Sequence, residues 1–333
     1  MKPKIGLMLG GGGAKGGYQL GVIRALQESK LIEDIDVIAG TSIGAINGLL
    51  LVTLNDVNKM SEVWEYAQES SFYKKGFTRF KQDKEGLYSL DVLRDVFNHY
   101  INKKDLTNAD KELYCVASKI IDTKKLISQI RKDNHEKTVF HVNKHEHPYE
   151  TVIASASIPL FFGTTYINEE PYVDGGLVDN NPIDVLVDLG CDIIIAVPLD
   201  HHFSVRPYMD KKILLINMTD LSVFSSKAVQ DAYDIIRFSE DALTERQNYG
   251  YLVAKEVVQR LKDIGIMQKN SGLKETFKFI DKFTYIEPSA DTFEMIKALK
   301  KQRAITNREK HKRNRIKNKI NKKITRGKNN GSS

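Results

Sequence analysis

Ser42 stands in Gly40-Thr41-Ser42-Ile43-Gly44, a G-x-S-x-G pentapeptide that follows the apolar run Val37-Ile38-Ala39. This is the nucleophile-elbow pattern. A sharp strand-to-helix turn lifts the hydroxyl above a sheet, and flanking glycines let the backbone crowd it. A second group lies upstream, where the apolar run Lys4 to Leu9 ends in Gly10-Gly11-Gly12-Gly13. Ala14-Lys15-Gly16 then leads into a stretch in which Leu20, Ile23 and Leu26 recur at helical spacing. A hydroxyl beside a bank of backbone N–H groups at a helix N-terminus is what acyl transfer needs.

A serine hydroxyl is a poor nucleophile without a base in reach. Two sources of one are present. Asp174 ends the run Pro171-Tyr172-Val173 and is followed by Gly175-Gly176, which suits a carboxylate held at the edge of a sheet. His201 and His202 follow the apolar run that ends at Pro198 and would make a Ser-Asp-His triad, the imidazole coming late in the chain. His135, His141, His145 and His147 lie close together, but in a polar stretch without cysteine or an apolar frame, so no metal is expected there.

Other uses of a glycine-rich turn fit less well. Gly11, Gly13 and Gly16 have dinucleotide-binding spacing, but the second strand closes on the Ser42 elbow where a ribose-binding acid should stand. Lys15 precedes Gly16, which is not the order of a P-loop. A non-catalytic lipid-binding module is the remaining rival, and it predicts a damaged nucleophile or glycine turn.

The elements that must position these groups alternate. Strands are expected at Lys4 to Leu9, Val37 to Ala39, Glu112 to Ile121, Pro171 to Asp174, Asp192 to Pro198, Ile213 to Met218 and Phe283 to Ile286. Helices are expected behind the glycine turn, over Ile43 to Leu54, Val57 to Tyr66 and Leu90 to Tyr100 (with Ser89 as N-cap), from Tyr149 to Ser157, from Asn180-Asn181-Pro182 (with the proline in the first turn) to Leu189, within Ser226 to Leu261 and over Asp291 to Leu299. Lys124 to Ile130 is expected to pair with the Glu112 strand as a hairpin. Phe72, Tyr73, Phe77 and Phe80 among lysines read either as a lid that touches lipid or as a loop whose rings pack on the core. The alternation implies an α/β sandwich around a mainly parallel sheet.

The chain has 333 residues, 41% of them apolar and 28% charged, as in ordinary globular proteins. No apolar run reaches membrane-spanning length, and with Met1-Lys2-Pro3-Lys4 leading straight into the first strand no secretory leader is expected. Cys115 and Cys191 sit in apolar runs, as reduced buried thiols do, so a cytoplasmic protein is expected. The net charge of +7 is unevenly spread. Residues 300–333 hold fourteen Lys and Arg against Glu309; taking that +13 from +7 leaves −6 for residues 1–299. The expected organisation is a catalytic domain over 1–299 and a basic, disordered tail over 300–333. Residues 300–328 suit peripheral contact with an anionic membrane surface, and nucleic acid is expected to bind only through them.

Four blocks in order resemble the patatin-like phospholipases. Gly11-Gly12-Gly13-Ala14-Lys15-Gly16 is similar to that family's oxyanion loop, with Lys15 where it places Arg or Lys. Gly40-Thr41-Ser42-Ile43-Gly44 is similar to its nucleophile elbow, Ala154-Ser155-Ala156-Ser157-Ile158-Pro159 to its small-residue block, and Asp174-Gly175-Gly176 to its Asp-Gly-Gly/Ala motif. Gly10 stands where many members have Asp. The blocks span 5–182, and the tail has no counterpart. The resemblance implies a patatin-like three-layer α/β/α sandwich and a lipid or phospholipid ester as substrate. It implies Ser42 and Asp174 as a catalytic dyad with oxyanion donors at Gly11, Gly12 and Gly13, and no cofactor. Lys15 is expected to be solvated in the first helical turn, the alternative being a cation that steers an anionic head group.

Overall fold

The computed structural model describes residues 2–69, 91–122, 131–159, 161–227, 234–235, 239–267, 272–273 and 281–305. The chain divides into Met1–Pro288 and Ser289–Ser333. Nine strands among the described residues of the first unit form one sheet: β1 Ile5–Leu9, β2 Val37–Thr41, β3 Glu112–Ile120, β4 His135–His141, β5 Thr165–Ile167, β6 Glu170–Asp174, β7 Ile193–Val197, β8 Leu214–Asn217 and β9 Thr284–Ile286. Their order is β5-β6-β3-β2-β1-β7-β8-β9, with β4 also on β3. From β3 through β9 neighbours on this path are parallel, whereas β4, β5 and β6 pair antiparallel.

The central strands β1, β2 and β7 are buried along their whole length, which is why they read as unbroken apolar runs. Alternate residues face opposite layers. Met8, Ala39 and Ile194 pack with Ile183 and Leu186 of the helix Ile183–Asp188. The helix Ile43–Leu54 lies on the other face, close enough that a Cβ on Gly48 would sit 2.7 Å from Leu113 and 3.3 Å from Ile38. Helix Gly17–Glu28 also belongs to that layer and packs against the long helix Glu240–Asp263. The result is the expected α/β sandwich around a mainly parallel sheet.

Several expectations need correction. The histidine-bearing stretch is no polar loop, because His135–His141 is an edge strand on β3, in register from Ile120 beside His135 to Tyr114 beside His141. β3 therefore takes this strand as a partner, and Lys124–Ile130, expected to pair with it, lies outside the described residues. Helix Lys103–Thr107, begun by Asn102 accepting from Lys104 N–H, and strand β5 were not anticipated. Pro182 caps the helix that it was expected to enter. Residues 290–305 are helical, beyond the expected end at Leu299. Ser89, the aromatic stretch around Phe72 to Phe80 and residues 306–333 lie outside the described residues. Both cysteines are buried free thiols whose pKa is pushed up to about 12, chiefly by desolvation.

Candidate active site

The register of β3 explains how residues 132 positions apart meet. β2 runs parallel along one edge of β3 until Thr41 lies beside Val116. β6 runs antiparallel along the same edge and ends with Asp174 beside Ala117, since β4 occupies the other edge. Two strands thus approach each other head-on. Ser42 leaves one of them and Asp174 ends the other.

Ser42 has φ 55° and ψ −123°, a conformation sparsely used by any residue with a side chain. The elbow holds it there by crowding: a Cβ on Gly44 would lie 2.0 Å from Leu9 O, and one on Gly40 2.6 Å from Gly44 C. The Ser42 N–H donates to Ser155 Oγ (2.9 Å), and Ser155 Oγ donates to Val116 O (2.6 Å). Ser42 Oγ donates to Asp174 Oδ2 at 2.5 Å, and Gly176 N–H donates to Asp174 Oδ1 at 2.7 Å. Both side chains are buried. Desolvation raises the Asp174 pKa to about 6, against the lowering pull of the bonds from Ser42 and Gly176. The Asp174 backbone is fixed as well, its N–H donating to Ser157 O (2.9 Å) and its carbonyl accepting from Ser118 Oγ (2.8 Å).

Gly11, Gly12 and Gly13 line the same cleft, of about 600 Å³, as Ser42 and Asp174. Gly13 takes φ +54°, the left-handed region that glycine enters at no steric cost. The three are not equivalent. Gly11 N–H donates to Asn180 O (3.0 Å), and Gly11 O accepts from Asn180 Nδ2 (3.2 Å). A donor engaged inside the fold is not open to an oxyanion, so the expectation of a Gly11 donor is corrected: Gly11 anchors the loop. Among the described residues no such acceptor takes the N–H of Gly12 or Gly13. Gly10 O is held by Gln19 Nε2 (2.8 Å), itself tied to Asn47 and through it to the indole N–H of Trp64.

Lys15 is buried at 1% exposure rather than solvated. It ends in the cleft wall with Nζ 5.2 Å from the ring centre of Phe224, an aromatic supplied from far along the chain. Gly16 packs against Ile43, where an added Cβ would lie 2.4 Å from Ile43 Cγ1, and a Cβ on Gly175 would lie 2.1 Å from Val116 O. His201 and His202 are exposed, and no imidazole stands between Ser42 and Asp174, which bond directly. His202 reaches only the cleft lining. His141 stacks on Tyr114 at 4.4 Å. Among the described residues no three His, Cys, Asp or Glu side chains are grouped to hold a metal.

Three residues of the site escaped sequence reasoning. Ser155 was visible only as one of a block of small residues. Asn180 was read as the start of a helix, yet it clasps the glycine turn. Asp200 was passed over for the histidines after it. As the acid just beyond a buried strand it had a signal of its own, and it accepts from both Asn180 Nδ2 and Asn181 Nδ2.

The chain's residues 7–187 match the family model described as patatin-like phospholipase. The chain is 28% identical over 204 residues to lysophospholipase NTE1 of Pyricularia oryzae and equally to lysophospholipase nte1 of Aspergillus niger. Each alignment takes in 58% of this chain and only 12% of the relative's length. Among solved structures, the type III effector protein ExoU is similar at 15% identity and a TM-score of 0.42, over 78% of this chain and 53% of that one.

Proposed function

The chain belongs to the patatin-like phospholipase family, and from that premise we propose that it is a lipid acyl hydrolase working through a Ser42–Asp174 dyad. The observation that carries this reading is the 2.5 Å bond from Ser42 Oγ to a desolvated carboxylate, in a cleft lined by Gly12 and Gly13. Ser42 Oγ attacks the ester carbonyl carbon as its proton passes to Asp174 Oδ2. Gly12 and Gly13 N–H groups, at the positive end of the following helix, hold the oxyanion. The leaving alkoxide takes the proton from Asp174, and water then enters by the same route in reverse order. Ile158, Pro159, Phe203 and Tyr208 in the lining offer an apolar wall to an acyl chain. The relatives' names, lysophospholipases, favour phospholipid or lysophospholipid esters as the substrate class.

A base with a pKa of about 6 sets the pH dependence. It accepts a proton only when ionised, so kcat/KM for a soluble ester falls about tenfold per pH unit below 6 and levels off above it. A profile that stays flat down to pH 4.5 removes Asp174 as the base.

The triad alternative is tested by replacing His201 and His202 together with Gln. Most of the activity is expected to remain. Loss of activity in a correctly folded double variant restores an imidazole to the mechanism.

For the basic end of the chain the reading is electrostatic. Each Lys or Arg near an anionic bilayer contributes roughly 1 kcal/mol of salt-sensitive attraction. Deleting 306–333, which leaves the described helical residues 290–305 in place, is expected to spare hydrolysis of a soluble ester and to reduce co-sedimentation with anionic vesicles at low salt. Equal sedimentation of both forms refutes this role. Among the described residues no helix is long and apolar enough to cross a membrane.

A further inference from the structure

The glycine turn is gripped from outside the segment matched by the family model. Helix Glu240–Asp263 approaches helix Gly17–Glu28 so closely that a Cβ on Gly21 would lie 1.9 Å from Gln247 O, and one on Gly250 2.1 Å from Tyr18 O. This contact delivers Arg246, which is 8% exposed, onto the turn. Its Nη1 donates to Ala14 O at 2.9 Å. Its Nη2 donates to Asp234 O at 3.0 Å and lies 3.5 Å from Asp234 Oδ1. Ile235, next in the chain, seals the other side of the turn, its carbonyl oxygen 2.3 Å from where a Cβ on Gly13 would be.

The Ala14 carbonyl shares its peptide group with the Lys15 N–H, which donates to Gly12 O at 3.1 Å. The Gly12 carbonyl in turn shares its peptide group with the Gly13 N–H. Hydrogen bonds in series polarise one another, and a charged donor at the head of the chain makes the last N–H a stronger donor. We propose that Arg246 is a positioning residue for the oxyanion turn: it fixes the Ala14 carbonyl and, through two successive peptide groups, aims and polarises the Gly13 N–H. The proposal rests on the serine-hydrolase reading, in which that N–H faces the oxyanion.

The test compares wild type, Arg246→Met and Arg246→Lys, with folding checked by circular dichroism. Each is assayed on a soluble ester and titrated with a trifluoromethyl ketone analogue. Ser42 Oγ adds to the ketone carbon, its proton goes to Asp174, and the carbonyl electron pair becomes an oxyanion in the hole. In Arg246→Met, kcat is expected to fall about 10- to 100-fold, less than or equal to the loss of one oxyanion donor, with KM unchanged. The ketone Ki should rise by the same factor, and the acid limb near pH 6 should not move. Arg246→Lys, which keeps the charge without the fork, should fall between the two. If Arg246→Met does not fold, the lysine variant carries the test. A folded variant with wild-type kcat overturns the proposal, and so does a loss of kcat with an unchanged ketone Ki. Wild-type protein that neither cleaves the ester nor binds the ketone overturns the hydrolase reading itself, and this inference with it.

Discussion

Ser42→Ala lowers turnover of a short-chain p-nitrophenyl ester by about 10³-fold or more and abolishes labelling by a fluorophosphonate. The substitution removes a single atom. It leaves the elbow's backbone, the Ser155 bond to the Ser42 N–H and the cleft in place, so the loss reads on nucleophilicity alone. Asp174 keeps its bond from the Gly176 N–H but has no proton left to take from residue 42. What activity remains comes from whatever the Gly12 and Gly13 donors and binding supply to attack by water. Labelling that persists on another serine, with hydrolysis intact, contradicts the assignment.

Asp174→Asn costs nearly as much, about 10³- to 10⁴-fold, and the double variant little more than either single one, because the pair acts as a unit. The same substitution is expected to stabilise the fold at neutral pH. The sign follows from proton binding. The folded carboxyl has a pKa of about 6, against 3.8 as its ordinary value. Between those values the native state holds the proton that the unfolded chain has released, so stability falls as pH rises through this window and the loss is complete above about 6. The gap corresponds to about 3 kcal/mol at pH 7, an order-of-magnitude figure for a fully desolvated carboxylate. Asn fits the same shape: its oxygen accepts from Gly176 N–H and its amide faces Ser42 Oγ. Thermal unfolding at pH 7 should therefore show Asp174→Asn above wild type, with the difference vanishing near pH 4. Equal or lower stability of the variant at pH 7 contradicts a buried, charged base.

Ser42 and Asp174 stood out as candidates in the sequence because each is framed locally, while their pairing came from the resemblance. A glycine on each side of Ser42 and two behind Asp174 mark places where backbone passes backbone, and such crowding is written into a few adjacent residues. What the sequence did not carry is where each donor goes. The Gly11 N–H is lost to Asn180, which is 169 positions away. Lys15 looked like a solvated cation in a first helical turn, yet it is buried, with its Nζ over the ring of Phe224 from far along the chain. His135–His141 hid its strand for a different reason. An edge strand with one neighbour carries polar residues along much of its length, and His-Glu-Lys-Thr-Val-Phe-His shows the weak alternation of a half-buried edge rather than the apolar run of β1 or β7. The grip of Arg246 on Ala14 spans 232 positions, and no local pattern announces it.

The most direct measurement is mass spectrometry of the products formed from a lysophospholipid and a diacyl phospholipid by wild-type protein and by Ser42→Ala, at pH 8. The dyad predicts free fatty acid and the matching deacylated lipid from at least one of the two with the wild type, and neither product above background with the variant. Fatty acid released at the same rate by both proteins contradicts the central claim, and so does a folded wild type that releases none from either lipid.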